Sequence, residues 1–189
     1  LVITHTYDGL GNLLSRSEGG IRTTSYGYDA LGRQTHIVQA GVTVDDLANK
    51  PEDSSIASRG EVPRTLETVV TYDAFGQAVT NKDAADNRSY KTYDAAGRLR
   101  YEVDALGHVT AYERNAFGDV ERLTRHARKV ALGSDQTSPS SEQVSQWLAA
   151  QSAADQSANR VLQMSYDQAG RTTQVTQAAV SIYDTSVPE

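Results

Sequence analysis

Short runs in which apolar and polar residues alternate follow one another along the chain, and most of them end in a small polar sequence that is typical of a turn. Apolar or aromatic residues recur three positions and one position before the first residue of these turns. They are His5, Tyr26, Val70, Tyr101, Tyr112 and Met164 at the first position, and Tyr7, Tyr28, Tyr72, Tyr93, Val103 and Tyr166 at the second. Alternation with a period of two predicts strands, joined here as antiparallel hairpins with one face more apolar than the other.

The turn sequences share a Tyr-Asp pair, with Gly three residues after the Asp. In a type I turn, Asp or Asn at the first position accepts a hydrogen bond from the backbone two residues on, and Gly at the fourth position adopts the left-handed conformation that closes the hairpin. The predicted turn residues, weaker copies included, are Asp8 and Gly11, Asp29 and Gly32, Asp73 and Gly76, Asp94 and Gly97, Asp104 and Gly107, Asn115 and Gly118, and Asp167 and Gly170. The sequence thus predicts one structural turn used many times.

The spacing of the turns indicates a repeat. Turn positions at 8, 18 and 29, and then at 73, 83, 94, 104 and 115, are separated alternately by 10 and 11 residues. Four of these copies are weaker. Asp104 and Asn115 lack the preceding Tyr, Glu18 replaces the Asp in the second turn, and Asp86 stands where Gly belongs in the turn that begins at Asp83. A unit of two similar halves therefore repeats, and two stretches interrupt it, around residues 42–65 and 127–160.

The two interruptions differ in kind. Residues 42–65 are polar and contain two prolines and a glycine, which predicts a surface loop. The second stretch has a capping signal, Ser140 followed by Gln143, and then apolar residues at approximately helical spacing. We expect a helix at about 141–158 that lies on the sheet, with Trp147 as its anchor.

These elements predict a mainly β fold, an antiparallel β-hairpin repeat array with one inserted α-helix. A sheet of this many strands is expected to curl. We interpret residues 1–189 as a single repeat segment of a larger protein, since the sequence opens with "LVITHTYDG" and without Met.

Composition and charge exclude several classes of function. Ten Tyr stand against two Phe and one Trp, which favours half-buried strand faces over a compact aliphatic core. The net charge of −6 comes without a basic stripe, so no nucleic-acid partner is expected. Cysteine is absent, which excludes disulfides and thiolate metal sites. No apolar run reaches the roughly 20 residues of a membrane span.

The turn words resemble those of the Rhs/YD-repeat family, which includes Rhs polymorphic toxins, the C component of Tc toxins, wall-associated repeat proteins and teneurins. The resemblance rests on Y-D-x-x-G-R at 28–33, 93–98 and 166–171, and on Y-D-x-x-G at 7–11 and 72–76. It implies a β-strip that spirals into a hollow shell, which in the toxin members encloses a C-terminal effector.

Self-cleaving members of that family cut after a motif that contains Asp-Pro. The four prolines of this chain are Pro51, Pro63, Pro139 and Pro188, and none of them follows Asp. The resemblance therefore implies no protease activity for this segment.

Candidate chemistry outside the turns is sparse, and no catalytic, cofactor or metal site is expected. The four histidines lie far apart in the sequence without metal-ligand spacing, and they are interpreted as strand or surface residues: His5, His36, His108 and His126. Asp83, Asp86 and Asn87 lack the layout of a calcium loop. Arg33, Arg98 and Arg171, which follow the turn glycines, are expected to pair with acids on adjacent hairpins.

Two hypotheses of function remain. The first is a non-enzymatic wall segment of a secreted or cell-surface protein, with the remaining repeats and an enclosed effector as partners and with self-association possible through sheet edges. The alternative is an extracellular carbohydrate- or receptor-binding module. The positions of Tyr26, Tyr101 and Tyr112, inside a curled strip or around an exposed groove, distinguish the two. A third interpretation, a hydrolase, requires a tight cluster of perturbed carboxylates or histidines in a cleft.

Overall fold

The computed structural model describes residues 1–45, 61–131 and 138–177, and this part of the chain is mainly β. Its strands are β1 (Ile3–Tyr7), β2 (Leu13–Glu18), β3 (Arg22–Tyr28), β4 (Gln34–Asp45), β5 (Glu61–Tyr72), β6 (Ala78–Lys82), β7 (Arg88–Tyr93), β8 (Leu99–Val103), β9 (Val109–Arg114), β10 (Val120–Arg125), β11 (Arg160–Tyr166) and β12 (Thr172–Gln177). Two helices, α1 (Ser141–Ala149) and α2 (Ala153–Ser157), lie between β10 and β11. The predicted hairpin array with an inserted helical segment is confirmed.

The chain forms two compact units, Leu1–Arg88 and Ser89–Glu189. In the first unit, each strand from β1 to β6 pairs antiparallel with the next strand in the sequence. In the second unit the same order runs from β7 to β12. Short turns between consecutive strands are what produce this order of neighbours.

The loop predicted at 42–65 is shorter than expected, because the flanking strands extend into it. Val42 pairs with Arg64, and Asp45 pairs with Glu61, at the far ends of β4 and β5. The three consecutive β-branched residues at 42–44 favour this extension. Gly41 marks the place where it begins, with a φ of 68° and a shift in register between Gln39 and Val42. Residues 46–60 lie outside the described residues.

The single helix predicted at 141–158 is wrong in length, since α1 ends at Ala149 and α2 begins at Ala153. The predicted start is correct: the Ser140 side chain accepts from the Gln143 N–H, and the Gln143 side chain accepts from the Ser140 N–H. The break has a local cause. Ser152 forms a second capping box with Asp155, which starts a new helix.

Helix α1 covers one face of the second unit. Val144 of α1 is fully buried and belongs to a cluster with Tyr101 and Val103 of β8 and Val109 of β9. Trp147, the predicted anchor, is only partly buried against this cluster. The smaller Val144 is therefore the α1 residue that packs into the core, and Trp147 packs against the margin of the cluster.

Tyr101 and Tyr112 occupy the same position relative to their turns, but they lie on opposite faces of the sheet. Tyr101 pairs with Ala111, and both are buried beneath α1. Tyr112 is the next residue in β9, so it points to the other side, where its hydroxyl donates to Glu102 Oε2 at 3.3 Å. Consecutive turns lie at opposite ends of the strands, and residues at the same position before two consecutive turns therefore lie on opposite faces of the sheet. The shared position before the turn therefore does not place Tyr101 and Tyr112 on one common face.

Candidate functional site

The repeated turn is built around one carboxylate. In the turn at Asp29, Oδ1 accepts from the N–H of Leu31 at 2.9 Å and from the N–H of Arg33 at 3.0 Å. The Asp29 N–H donates to the Arg33 carbonyl oxygen, and the Gly32 N–H donates to the Asp29 carbonyl oxygen. The same bonds recur in the turns that begin at Asp8, Asp73, Asp83, Asp94, Asp104, Asn115 and Asp167. We call each of these five-residue segments an aspartate turn, including the one with Asn.

The fourth position of every aspartate turn has a positive φ. Gly32 has a φ of 74° and Gly107 a φ of 88°. Asp86 fills this position in its turn with a φ of 64°, and it is the one residue other than Gly with positive φ in the described part of the chain. The left-handed conformation explains why the sequence places Gly here almost without exception.

The residue after this position closes the turn with its side chain. Arg33 Nε donates to Asp29 Oδ2 at 2.7 Å, and Arg98 and Arg171 make the equivalent bonds to Asp94 and Asp167. The prediction that these arginines pair with acids on adjacent hairpins is therefore wrong. The turn itself brings the first and fifth residues together, so the local partner lies nearest.

Tyrosines that precede the turns bond to the neighbouring, earlier strand of the sheet. The Tyr28 hydroxyl donates to the Leu13 carbonyl oxygen at 3.0 Å, and the Tyr166 hydroxyl donates to the Val120 carbonyl oxygen at 2.8 Å. Each acceptor lies five residues after the first residue of an earlier aspartate turn. We call these contacts tyrosine bridges. They use the polar end of the Tyr-Asp motif inside the fold.

Arg33 also extends beyond its own turn. Its guanidinium carbon lies 4.5 Å from the centroid of the Tyr72 ring, which is a cation–π contact. A Cβ at Gly76 would lie 3.2 Å from Arg33 Nη1, and a Cβ at Gly118 would lie equally close to Arg98 Nη1. Gly in these turns therefore also gives room to an arginine of another turn.

Hydrogen bonds within the turn favour the ionised form of Asp29, Asp83 and Asp94. Backbone hydrogen bonds from Arg33, followed by the Arg33 side chain, lower the pKa of Asp29, and Arg98 does the same for Asp94. At Asp83 the Asn87 side chain is the largest cause of the lowered pKa. Carboxylates with these partners support the backbone and are poorly suited to general acid–base catalysis.

A cleft of about 670 Å³ in the second unit holds two of the four histidines, His108 and His126. His126 Nδ1 lies 3.2 Å from both Gln151 Oε1 and Asn159 Nδ2, and burial lowers its pKa. His108 Nδ1 lies 3.3 Å from Asp104 Oδ2 of its own turn. The sequence does not indicate this cleft, because its walls come from segments that lie far apart in the chain: Ser89, 102–110, 125–127 and 158–160. These partners orient the rings, and His126 contacts amides instead of a nucleophile.

Across residues 1–45, 61–131 and 138–177, no group of three or more His, Asp or Glu side chains has a geometry that fits a metal ion. In the same ranges, no helix combines the length and the apolar character that crossing a membrane requires. Asp83, considered above as a calcium ligand, instead accepts hydrogen bonds from Ala85 and Asn87.

Comparison with known proteins gives one family. The RHS Repeat model matches residues 7–41, and no curated protein matches the chain in sequence. Two solved structures contain similar chains. One is a Tc holotoxin pore of Photorhabdus luminescens with a mutation in TccC3, at 13% identity and a TM-score of 0.43, matched over 95% of this chain and 9% of that one. The other is TcdB2-TccC3 without its hypervariable C-terminal region, at 15% identity and a TM-score of 0.47, matched over 93% and 9%.

This chain thus spans 9% of the length of each of these larger chains. The match to the RHS Repeat model covers the first two aspartate turns and ends inside β4. The same turn, with the same hydrogen bonds, recurs from Asp73 to Arg171. Residues 7–41 thus match the RHS Repeat family, and the later turns share the hydrogen bonds of this segment.

Proposed function

We propose that this chain is a structural wall segment of an Rhs/YD-repeat shell, and that the shell encloses a C-terminal toxin or effector of the larger protein. One observation carries the proposal: the polar groups that define the motif are used within the array. Asp29 holds its own turn, Arg33 binds Asp29, and the Tyr72 hydroxyl donates to the Gln34 carbonyl oxygen. A repeated ligand site would instead leave these groups directed at solvent.

Such bonding suits a wall. Repeat arrays gain stability from contacts between neighbouring units, and each tyrosine bridge adds a side-chain hydrogen bond between two strands that already pair in the sheet. The hydrogen bond of Tyr166 to Val120 connects β11 to β10 across the helical insertion. The insertion therefore interrupts the sequence of the wall without interrupting its bonding.

The proposed partners are the remaining repeats of the larger protein and the enclosed effector, with self-association possible through sheet edges. A secreted or cell-surface location is part of the same proposal, as is a role without catalysis. The support for these statements is the RHS Repeat match together with the engaged carboxylates.

Limited proteolysis of the full-length protein tests the proposal. The expected result is that a region C-terminal to the repeats resists protease in the wild type, and is cleaved much faster when Gly107→Val opens the wall. Gly107 is suited to this test because a Cβ there would lie 2.7 Å from the Val130 carbonyl oxygen. Rapid cleavage of the C-terminal region in the folded wild type would contradict enclosure.

One observation favours the alternative, a carbohydrate-binding module. The Tyr7 side chain is 59% exposed, and its ring stacks on His5 with centroids 6.3 Å apart. Aromatic rings exposed in this way stack on sugars, so a glycan panel should be tested with the wild type and Tyr7→Ala. A glycan that binds the wild type and loses affinity for Tyr7→Ala would replace the shell proposal with this one.

A further inference from the structure

A groove of about 780 Å³ lies between two aspartate turns of the second unit, 115–119 and 167–171. Its walls include the Phe117 and Tyr166 rings and the side chains of Asp119 and Glu121. Phe117 stands at the tip of its turn and is 92% exposed. The groove therefore combines aromatic surface with carboxylates, and it is open to solvent.

The first unit contains the same arrangement of two turns and a tyrosine, with an arginine side chain of the chain itself beside the tyrosine ring. There, Arg33 closes one aspartate turn and places its guanidinium over the ring of Tyr72, which precedes another. The residue that corresponds to Arg33 in the second unit is Asp119, and the tyrosine that corresponds to Tyr72 is Tyr166. The two tyrosines are held alike, since each hydroxyl donates to a backbone carbonyl oxygen, that of Gln34 or that of Val120.

The exchange of Arg for Asp reverses the charge of the groove. Asp119 Oδ2 accepts a hydrogen bond from the Asn115 side chain, and neither Asp119 nor Glu121 makes an ion pair within the described residues. Asp167 is neutralised by Arg171, whose Nε lies 2.7 Å from its Oδ2. The carboxylates of Asp119 and Glu121 thus remain without a cation beside the Tyr166 ring. At the equivalent place in the first unit, the guanidinium of Arg33 lies over the Tyr72 ring.

We propose that this groove binds the guanidinium group of an arginine in a basic peptide segment. The guanidinium lies over the Tyr166 ring, as that of Arg33 lies over Tyr72, and its N–H groups donate to Asp119 and Glu121. Arginine suits the site better than lysine because its planar group stacks on a ring and donates to carboxylates at the same time. The groove exceeds one side chain in volume, so neighbouring residues of the peptide lie along Phe117.

Binding of a fluorescein-labelled peptide, Gly-Arg-Gly-Arg-Gly, to the whole chain tests the site by anisotropy at low and at moderate salt. The variants are Asp119→Arg, which supplies the arginine from within the chain, and Glu121→Gln. Glu142→Gln is the matched control, because Glu142 is an exposed acid on α1 outside the groove. Circular dichroism and thermal melting establish that each variant is folded. A peptide with Lys in place of Arg measures the preference for guanidinium.

The expected result is a dissociation constant about tenfold higher for Asp119→Arg and a few-fold higher for Glu121→Gln, with little change for Glu142→Gln. If Asp119→Arg does not fold, Glu121→Gln and Tyr166→Leu decide the question. Equal affinity of the wild type and the folded groove variants overturns the proposal, as does equal weakening by Glu142→Gln, which indicates attraction by net charge alone. The site does not depend on the proposed wall function, since these measurements involve no enclosed cargo.

Discussion

The Tyr72 hydroxyl donates a hydrogen bond of 2.9 Å to the carbonyl oxygen of Gln34, 38 residues earlier in the chain. Most of the residues between them belong to the long hairpin of β4 and β5. Tyr28 and Tyr166 make the equivalent bond although 15 and 46 residues separate donor and acceptor. The two residues of the Tyr-Asp motif thus have different roles. Asp forms a turn, and Tyr binds the strand that follows an earlier aspartate turn.

Removing this tie should destabilise the first unit. Tyr72→Phe deletes only the hydroxyl and leaves the half-buried Gln34 carbonyl oxygen without this donor, so we expect a loss of about 0.5–1.5 kcal/mol in the free energy of unfolding. Tyr7→Phe is the matched control, because Tyr7 occupies the same motif position and is largely exposed. Urea denaturation of both variants measures the difference. An equal effect of the two substitutions would argue against the tyrosine bridge.

Two turn glycines should differ in their tolerance of alanine. Gly107 and Gly32 both have positive φ, but a Cβ at Gly32 meets open space whereas one at Gly107 lies 2.7 Å from the Val130 carbonyl oxygen. Gly32→Ala should cost about 1 kcal/mol from backbone strain alone, and Gly107→Ala should cost more than about 2 kcal/mol. Thermal melting of the two variants tests this order, and a reversed order would contradict the close approach of residue 130 to the turn.

The local parts of this structure could be predicted from the sequence, and the distant contacts could not. An Asp followed by Gly three residues later determines a turn through bonds within five residues, and Ser140 with Gln143 determines a helix start in the same local way. Tyr72 and Gln34 meet only after the intervening hairpin has folded, so nothing in either neighbourhood indicates the contact.

The errors of prediction have the same origin. The sequence predicts an acid on another hairpin as the partner of Arg33, whereas Arg33 binds Asp29 of its own turn. Tyr101 and Tyr112 have the same sequence position before their turns, but the strand register places them on opposite faces. Likewise, the groove beside Tyr166 depends on Asp119 standing in the place of an arginine, and this can be recognised only once the filled arrangement at Tyr72 is known.

The contact of Arg33 with Tyr72 should be measurable as a coupling energy. In a double-mutant cycle of Arg33→Met and Tyr72→Leu, we expect about 0.5–1 kcal/mol of coupling, because the guanidinium lies 4.5 Å from the ring centroid and is partly shielded from water. The single substitution Arg171→Met provides a comparison for the loss of stability caused by Arg33→Met, since the Arg171 side chain is 80% exposed and binds its own Asp167. A coupling energy near zero would show that Arg33 acts only within its own turn.

Asp86 is a position at which stability can be gained. Its φ of 64° is unfavourable for a side chain with a Cβ, and the corresponding residue of the other aspartate turns is Gly. Asp86→Gly should raise the free energy of unfolding by up to about 1 kcal/mol, less the small contribution of its exposed ion pair with Lys82. Asp86→Asn removes the same charge and retains a Cβ, so it should not produce the gain. Urea midpoints of the two variants separate strain from charge.

Acid should weaken the first unit through its turn carboxylates. Hydrogen bonds from Asn12 lower the pKa of Asp8, and those from Arg33 lower the pKa of Asp29, both from an ordinary value of 3.8. Because the folded pKa lies below the unfolded one, each carboxylate contributes stability that is complete above the unfolded pKa and is lost as the pH falls through the folded pKa. Unfolding free energy should therefore decline from about pH 5 downward.

Asp29→Asn tests this origin, since the amide oxygen still accepts from the backbone N–H groups of Leu31 and Arg33 but no longer titrates. The variant should lose part of the wild-type decline between about pH 5 and about pH 3, and Asp8→Asn combined with it should lose more. Urea midpoints across this range measure the slope. If the double variant retained the full wild-type slope, the decline would arise from groups other than the aspartate turns, and the turns would hold the backbone without contributing to the acid response.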